Sequence, residues 1–253
     1  MSRLWTYGCS FTADYNLNDG IYEPYTSSYD EYRKFKGGIL PDVWPEILGK
    51  KIGYDTYNCA VGGSSNYKIL NQYYDTCHLI QKDDIVIFGW TSLERFRLAN
   101  LNENMFIDIL PMGFTDNNCG VSKTSIDEIL VNRTHNIWTF EVMGWIQMIN
   151  HFMDGVGAEV YHWTTDPRIF SRKTKNIDKR KFLLVNDAET NKENIHAYLA
   201  LPKFHNDTLK ARITEETDGL IYDDHYGEYG HKVQAQYFYE HIKENTKIEK
   251  IIK

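Results

Sequence analysis

The chain has 253 residues, 42% of them hydrophobic and 25% charged, which is the composition of a globular protein long enough to bury a sizeable core. Its 28 basic residues against 35 acidic ones give a formal charge of −7 with no dense basic run, so neither nucleic acid nor an anionic membrane surface is expected as a partner. No apolar stretch reaches the roughly 20 residues of a spanning helix, and Gly8-Cys9 breaks the apolar run near the start, so neither a membrane segment nor a secretion signal is expected.

Arg3 to Gly8 reads as a first strand. Residues 11–40 are polar, tyrosine-rich and punctuated by glycine, the pattern of a long surface loop. A helix opens at Pro41-Asp42 with Asp42 as its cap, carries Trp44, Ile47 and Leu48 inward and stops at Gly53. Tyr54 to Ala60 is a second strand. Ser64-Ser65-Asn66 caps a helix whose apolar positions Tyr67, Ile69, Leu70, Tyr73, Tyr74, Cys77 and Ile80 fall at helical spacing. Asp84 to Trp90 is an unbroken apolar run, as in a central parallel strand covered on both faces.

Thr91-Ser92 then reads as a cap for Leu93-Glu94-Arg95, and residues 97–135, rich in Asn and Asp, read as irregular. Asn136 to Gly157 is a long helix and Ala158 to Trp163 a fourth strand. Residues 166–222 are charged with one short apolar run, Phe182 to Val185, and suit a cap or lid over the sheet edge. The last helix spans about Lys232 to Lys247, with Val233, Ala235, Tyr237, Phe238 and Ile242 on its inner side. This alternation predicts an α/β fold: one domain over residues 1–253, a three-layer α/β/α sandwich with a central parallel sheet and right-handed crossovers. Segments 11–40, 97–135 and 166–222 are its insertions.

Four widely spaced cysteines (Cys9, Cys59, Cys77 and Cys119) form no CxxC pair, so free thiols are expected rather than a zinc ribbon or disulfide framework. The histidines are scattered without ligand spacing, so no metal and no cofactor is expected.

Short motifs stand where successive strands end: Gly8-Cys9-Ser10-Phe11, then Asn58-Cys59-Ala60-Val61-Gly62-Gly63-Ser64-Ser65-Asn66, then Gly89-Trp90-Thr91-Ser92. A fourth, Asp223-Asp224-His225-Tyr226-Gly227, leads into the last helix. Read singly, these are a turn serine, a loop hinge, a helix cap and a surface loop. Together they occupy the carboxyl ends of neighbouring strands, where open α/β sheets place their chemistry.

In this order the four blocks resemble the SGNH (GDSL-type) hydrolases, and particularly the divergent members with a Gly-Cys-Ser-Phe first block that occur in bacteriophage genomes. The resemblance implies a flavodoxin-like sandwich and a serine esterase acting on a carboxylic ester of a small molecule or glycan, for example an O-acetyl sugar. It implies Ser10 as nucleophile, His225 as its base, Asp223 as the group that orients the histidine, and an oxyanion hole from the Ser10 and Gly63 backbone N–H groups. Where the family has a strand-end asparagine this chain has Thr91, so the Thr91 hydroxyl or the Asn66 side chain is left as the further donor. The cytoplasm is the expected compartment, that of the host if the chain is phage-encoded. An SGNH-like binding or structural module with a weakened site, and an acyl transferase using the same serine, are the alternatives.

The residue chemistry supports the same assignment. A serine at its free pKa is a poor nucleophile and needs a base within hydrogen-bond reach, itself held by a third group. Residues two apart in an extended segment share a face, so Asp223 can hold one ring nitrogen of His225 while Asp224 points away. His231 falls near the start of the last helix and reads as a packing or capping residue. His162 and Asp166 follow the fourth strand and either line the site or belong to the core. Glu94-Arg95 reads as a surface ion pair, and the aromatic residues of 11–40 as stacking surfaces for a sugar.

Overall fold

The computed structural model describes residues 2–15, 23–100, 105–109, 128, 135–164, 166, 178–183 and 212–248. In chain order the strands are β1 (Arg3–Tyr7), β2 (Asp55–Asn58), β3 (Ile85–Trp90), β4 (Phe96–Asn100), β5 (Met105–Ile109) and β6 (Glu159–Thr164). The helices are α1 (Glu23–Phe35), α2 (Trp44–Ile52), α3 (Asn66–Thr76), α4 (His135–Val156), α5 (Ile213–Glu216) and α6 (Glu228–Asn245). Strands β2-β1-β3-β6 form a four-stranded, all-parallel sheet flanked by helices, in register Leu4 with Ile85 and Thr56, and Ile85 with Glu159.

Alternation along the strands explains where the helices go. Trp5, Tyr7, Val86, Phe88, Trp90 and Val160 point to one face and meet Ile69, Leu70 and Tyr73 of α3 and the Trp138–Met153 stripe of α4. Leu4, Ile85, Ile87, Tyr161 and Trp163 point to the other and meet Trp44 and Leu48 of α2 and Ala235, Phe238 and Ile242 of α6. All six residues of β3 are buried, as its unbroken apolar run requires. The chain leaves β1 for β2 on one side and later returns to β3 on the other. The order therefore reverses at β1, and a crevice opens beyond its carboxyl end.

Several local expectations are corrected. Residues 11–40 are not one loop, because α1 lies within them and buries Tyr29 and Tyr32 against Tyr15, Val43, Ile213 and Ile221. Those tyrosines are core rather than a stacking surface. Asp42 does not cap α2; it pairs with Lys50, and the N–H of Trp44 is instead taken by Nδ1 of His231 at 3.1 Å. Gly53 does end α2, in the left-handed conformation (φ 72°). The stretch after Thr91-Ser92 is a turn rather than a helix, and leads into β4, which pairs antiparallel with β5 inside the segment expected to be irregular. Phe182 and Leu183 lie beside β6, with Phe182 bridging to His162. α6 begins four residues before Lys232, at Glu228. Most of 110–134 and 167–211 lies outside the described residues, as does Cys119; Cys9, Cys59 and Cys77 are free thiols. No helix among the described residues is long and apolar enough to cross a membrane.

Asp84, 1% exposed, ties the amino-terminal edge of the sheet together. Its carboxylate accepts from the Arg3 backbone at 2.9 Å, the Arg3 guanidinium at 2.9 Å, the Trp5 indole at 3.0 Å and the Gln81 N–H at 2.9 Å. Removing one member of such a buried cluster strands the others, at a cost of about 3–5 kcal/mol. Asp84→Ala is therefore expected to lower the urea-derived unfolding free energy by that order, against a small change for Asp42→Ala in the exposed Lys50 pair.

Two buried histidines set the pH response of the fold. Burial pushes His162 and His231 down to about 3 from an ordinary 6.5, with Lys181 and His225 respectively adding to the effect. Both are therefore neutral when folded. An unfolded chain protonates them below about 6.5, so their contribution is complete above that pH and is lost as pH falls toward 3. Glu46, pushed up to about 7 by burial and by Asp14 and Asp42, takes up a proton on folding and opposes this loss between pH 7 and 4.5. Urea unfolding at a series of pH values should show stability falling on acidification, more steeply below pH 4.5, by about 1.4 kcal/mol per pH unit for each proton. Glu46→Gln should steepen the fall between pH 7 and 4.5 only.

Candidate active site

The turn that follows β1 is shaped by two glycines on neighbouring strands. A Cβ on Gly8 would stand 2.4 Å from the Thr12 hydroxyl, and one on Gly89 would stand 2.8 Å from that hydroxyl and from the Trp163 ring. Their bare backbones make room for Thr12, which is fully buried, so the chain can double back at once. The N–H groups of Thr12 and Ala13 both donate to the Cys9 carbonyl, at 2.9 and 3.0 Å. This turn buries Cys9 and leaves Ser10 half-buried at its rim. Two neighbours fix it: the Trp44 indole donates to the Phe11 carbonyl at 3.0 Å, and Asn58 Nδ2 donates to the Thr12 carbonyl at 2.8 Å.

The acid–histidine segment is held from the other side by α5. The N–H of Ile213 donates to the His225 carbonyl at 2.9 Å and that of Thr214 to the Asp223 carbonyl at 3.0 Å, while the Asp223 N–H donates to the Thr214 hydroxyl at 2.7 Å. So fixed, Oδ1 of Asp223 accepts from both the backbone N–H of His225 (2.8 Å) and its ring Nδ1 (2.6 Å). Oδ2 accepts from the Ser28 hydroxyl of α1 at 2.7 Å. Nε2 of His225 lies 2.7 Å from Oγ of Ser10. Asp223 is 6% exposed and the His225 side chain 14%.

Proton positions follow from this donor count. Burial alone would push the Asp223 carboxyl up, but the His225 ring, its charge, its backbone N–H and the Ser28 hydroxyl together hold it below the usual carboxylate range. An ionised carboxylate only accepts, so Nδ1 carries the ring proton. In a neutral imidazole this arrangement makes Nε2 the acceptor, to which the Ser10 hydroxyl donates. Ser10, His225 and Asp223 thus form one directed hydrogen-bond chain.

Beside it, the loop after β2 turns through Gly63 in the left-handed region (φ 72°), which favours glycine. Ser65 caps α3 by accepting from the Lys68 N–H at 3.3 Å. Gln72, buried on α3, clamps the two halves: its Oε1 accepts from the Gly8 N–H at 3.3 Å and its Nε2 donates to the Ser64 hydroxyl at 2.9 Å. Among the described residues no hydrogen bond engages the N–H of Ser10 or of Gly63. Asn66 is committed to Thr91, accepting its N–H at 2.8 Å and donating to its carbonyl at 3.0 Å, and both residues are buried.

Other sequence candidates fall elsewhere. His162 is core: it accepts from the Trp90 indole at 3.2 Å, and its other nitrogen meets Asn150 at 3.0 Å. Asp166 is buried and accepts from the Leu93 N–H at 2.9 Å, joining the loops after β3 and β6. Asp224 points away and pairs with Arg212 at 3.0 Å. Glu94 accepts from the Ser92 hydroxyl at 2.5 Å. The sequence reading missed Ser28, Gln72, Trp44 and Thr214 as supports. A signal existed for the first: Tyr25, Tyr29 and Tyr32 repeat at helical spacing, which places a helix under Ser28. A cavity of about 420 Å³ lined by Asp83, Glu159, Asp178 and Arg180 lies at the amino-terminal end of β6, away from this chemistry. Among the described residues, no group of three or more acidic, histidine or cysteine side chains is arranged to hold a metal.

Comparison with known protein-family models and with curated proteins finds no match for this chain, so a functional reading rests on the geometry above.

Proposed function

We propose that this protein is a serine hydrolase of the SGNH type, a three-layer α/β/α sandwich that cleaves a carboxylic ester through an acyl-enzyme on Ser10. The observation that carries the reading is the Ser10–His225–Asp223 chain, with contacts of 2.7 and 2.6 Å, at the carboxyl end of β1 where the strand order reverses. Its donors and acceptors already run in the direction that general-base catalysis needs.

In the proposed reaction Oγ of Ser10 attacks the ester carbonyl carbon as its proton passes to Nε2 of His225. Asp223 stabilises the resulting imidazolium and keeps its orientation. The carbonyl oxygen, now an oxyanion, accepts from the N–H groups of Ser10 and Gly63, which are free to donate, near the amino terminus of α3 with its favourable dipole. Collapse breaks the bond to the leaving oxygen, which departs as an alcohol with the proton from Nε2. Water then gives a proton to Nε2 and attacks the acyl group, and the acid leaves as Ser10 regains its proton. In this scheme Asn66 serves by fixing the Thr91 backbone. The substrate class is a small-molecule or glycan ester, and the chemistry described needs no cofactor.

Aryl acetate turnover tests the reading. Ser10→Ala is expected to remove activity by about 10³-fold or more, and Asp223→Asn, which disturbs the imidazole tautomer, by about 10²–10⁴-fold. A fluorophosphonate should label the wild-type protein on Ser10 and leave Ser10→Ala unlabelled. Equal turnover by wild type and Ser10→Ala contradicts the proposal. With an alcohol acceptor present, free acid as the sole acyl product supports hydrolysis, and an acylated acceptor assigns the same serine to transfer.

A further inference from the structure

Asp223 has two carboxylate oxygens, and the proposed mechanism uses only the one facing His225. The other accepts the Ser28 hydroxyl at 2.7 Å, from a residue 195 positions away on α1. That helix is firmly seated. Tyr29 and Tyr32, one and four residues after Ser28, are buried in the cluster with Tyr15, Ile213 and Ile221. The Tyr32 phenol oxygen accepts the Glu228 N–H at 2.8 Å, and Lys36 joins Glu216 of α5 (3.1 Å) to Glu228 of α6. The Tyr29 ring meets the His225 ring edge-on at 5.9 Å. α1 and Lys36 just after it therefore grip both ends of the segment 216–228, and α1 offers one hydroxyl to its carboxylate.

We propose that Ser28 is a positioning residue for the ester chemistry, the fourth member of a chain Ser10–His225–Asp223–Ser28, acting by fixing the rotation of the Asp223 carboxylate. The inference rests on the hydrolase reading. A carboxylate can swing about its own bond, and a donor on the outer oxygen holds the inner one in the imidazole plane. The hydrogen bond also disperses charge from Asp223, so its loss makes the carboxylate more basic. Among the described residues, the groups that face Asp223 include His225 from its own segment, Ser28 from α1 and the Tyr15 phenol from the first loop.

Ser28→Ala deletes one half-buried oxygen, and Ser28→Thr keeps the hydroxyl. In Ser28→Ala, kcat for an aryl acetate should fall on the order of tenfold, the size expected for one hydrogen bond to a charged group. KM should stay unchanged, and the acid limb of kcat/KM should move to higher pH. Ser28→Thr should restore both. Carbon-13 NMR titration of the Asp223 carboxyl, which needs no activity, should show a higher pKa in Ser28→Ala than in wild type. An active wild type with Ser28→Ala unchanged in kcat and pH profile overturns the proposal. If wild type itself hydrolyses no ester and Ser10 is not labelled, the hydrolase reading fails. The carboxyl titration then decides the Ser28 contact alone, and an unmoved pKa overturns it.

Discussion

One hydrogen bond organises this molecule: the 2.7 Å contact between Nε2 of His225 and Oγ of Ser10, which joins groups 215 residues apart. Neither partner can reach the other unless two separate pieces of backbone are held still. The sheet holds the first, because parallel strands covered on both faces leave β1 no freedom to shift, and Gly8 and Gly89 set how sharply the chain turns after it. α5 and α1 hold the second, through Ile213, Thr214 and Ser28. His231 joins the two halves, since it lies on the helix that follows His225 and caps the helix that carries Trp44, whose indole braces Phe11.

Buried polar groups are costly unless they are satisfied, and this site shows which costs the fold tolerates. Asp223 is almost wholly buried yet stays ionised, because three donors converge on it. Gln72 is buried with partners at both ends of its amide. The Thr12 hydroxyl, by contrast, has no hydrogen-bond partner among the described residues, although it sits between the two strand-end glycines. Such an orphan costs roughly 1–3 kcal/mol. The aromatic core around Tyr7, Tyr73, Phe88 and Trp90 supplies apolar burial to offset it.

Much of this architecture was legible in the sequence, for physical reasons that differ by element. β3 could be read because a strand buried on both faces admits only apolar residues. α3 and α4 could be read because each shows one apolar stripe. Ser10 stood out because small residues after a strand are the visible trace of a tight turn, and Asp223 and His225 because residues two apart in an extended segment share a face; their roles came from the family resemblance of the four motifs. The supports were hidden. α1 buries tyrosines among polar residues, so a reading tuned to aliphatic spacing passes over it. α5 is one turn long and is stabilised by contacts made across the fold, none of which leaves a periodic signal. The His231 cap on α2 replaced a local one at Asp42, because a non-local acceptor satisfied the Trp44 N–H first.

The central claim is that the head and tail of the chain meet with the imidazole proton on the Asp223 side. Nitrogen-15 NMR of the His225 ring in the folded protein at neutral pH tests it most directly. The account predicts the Nδ1–H tautomer, with a downfield Nδ1 proton that weakens in Asp223→Asn and an Nε2 shift that changes in Ser10→Ala. An Nε2–H tautomer, or a ring indifferent to both substitutions, would contradict it.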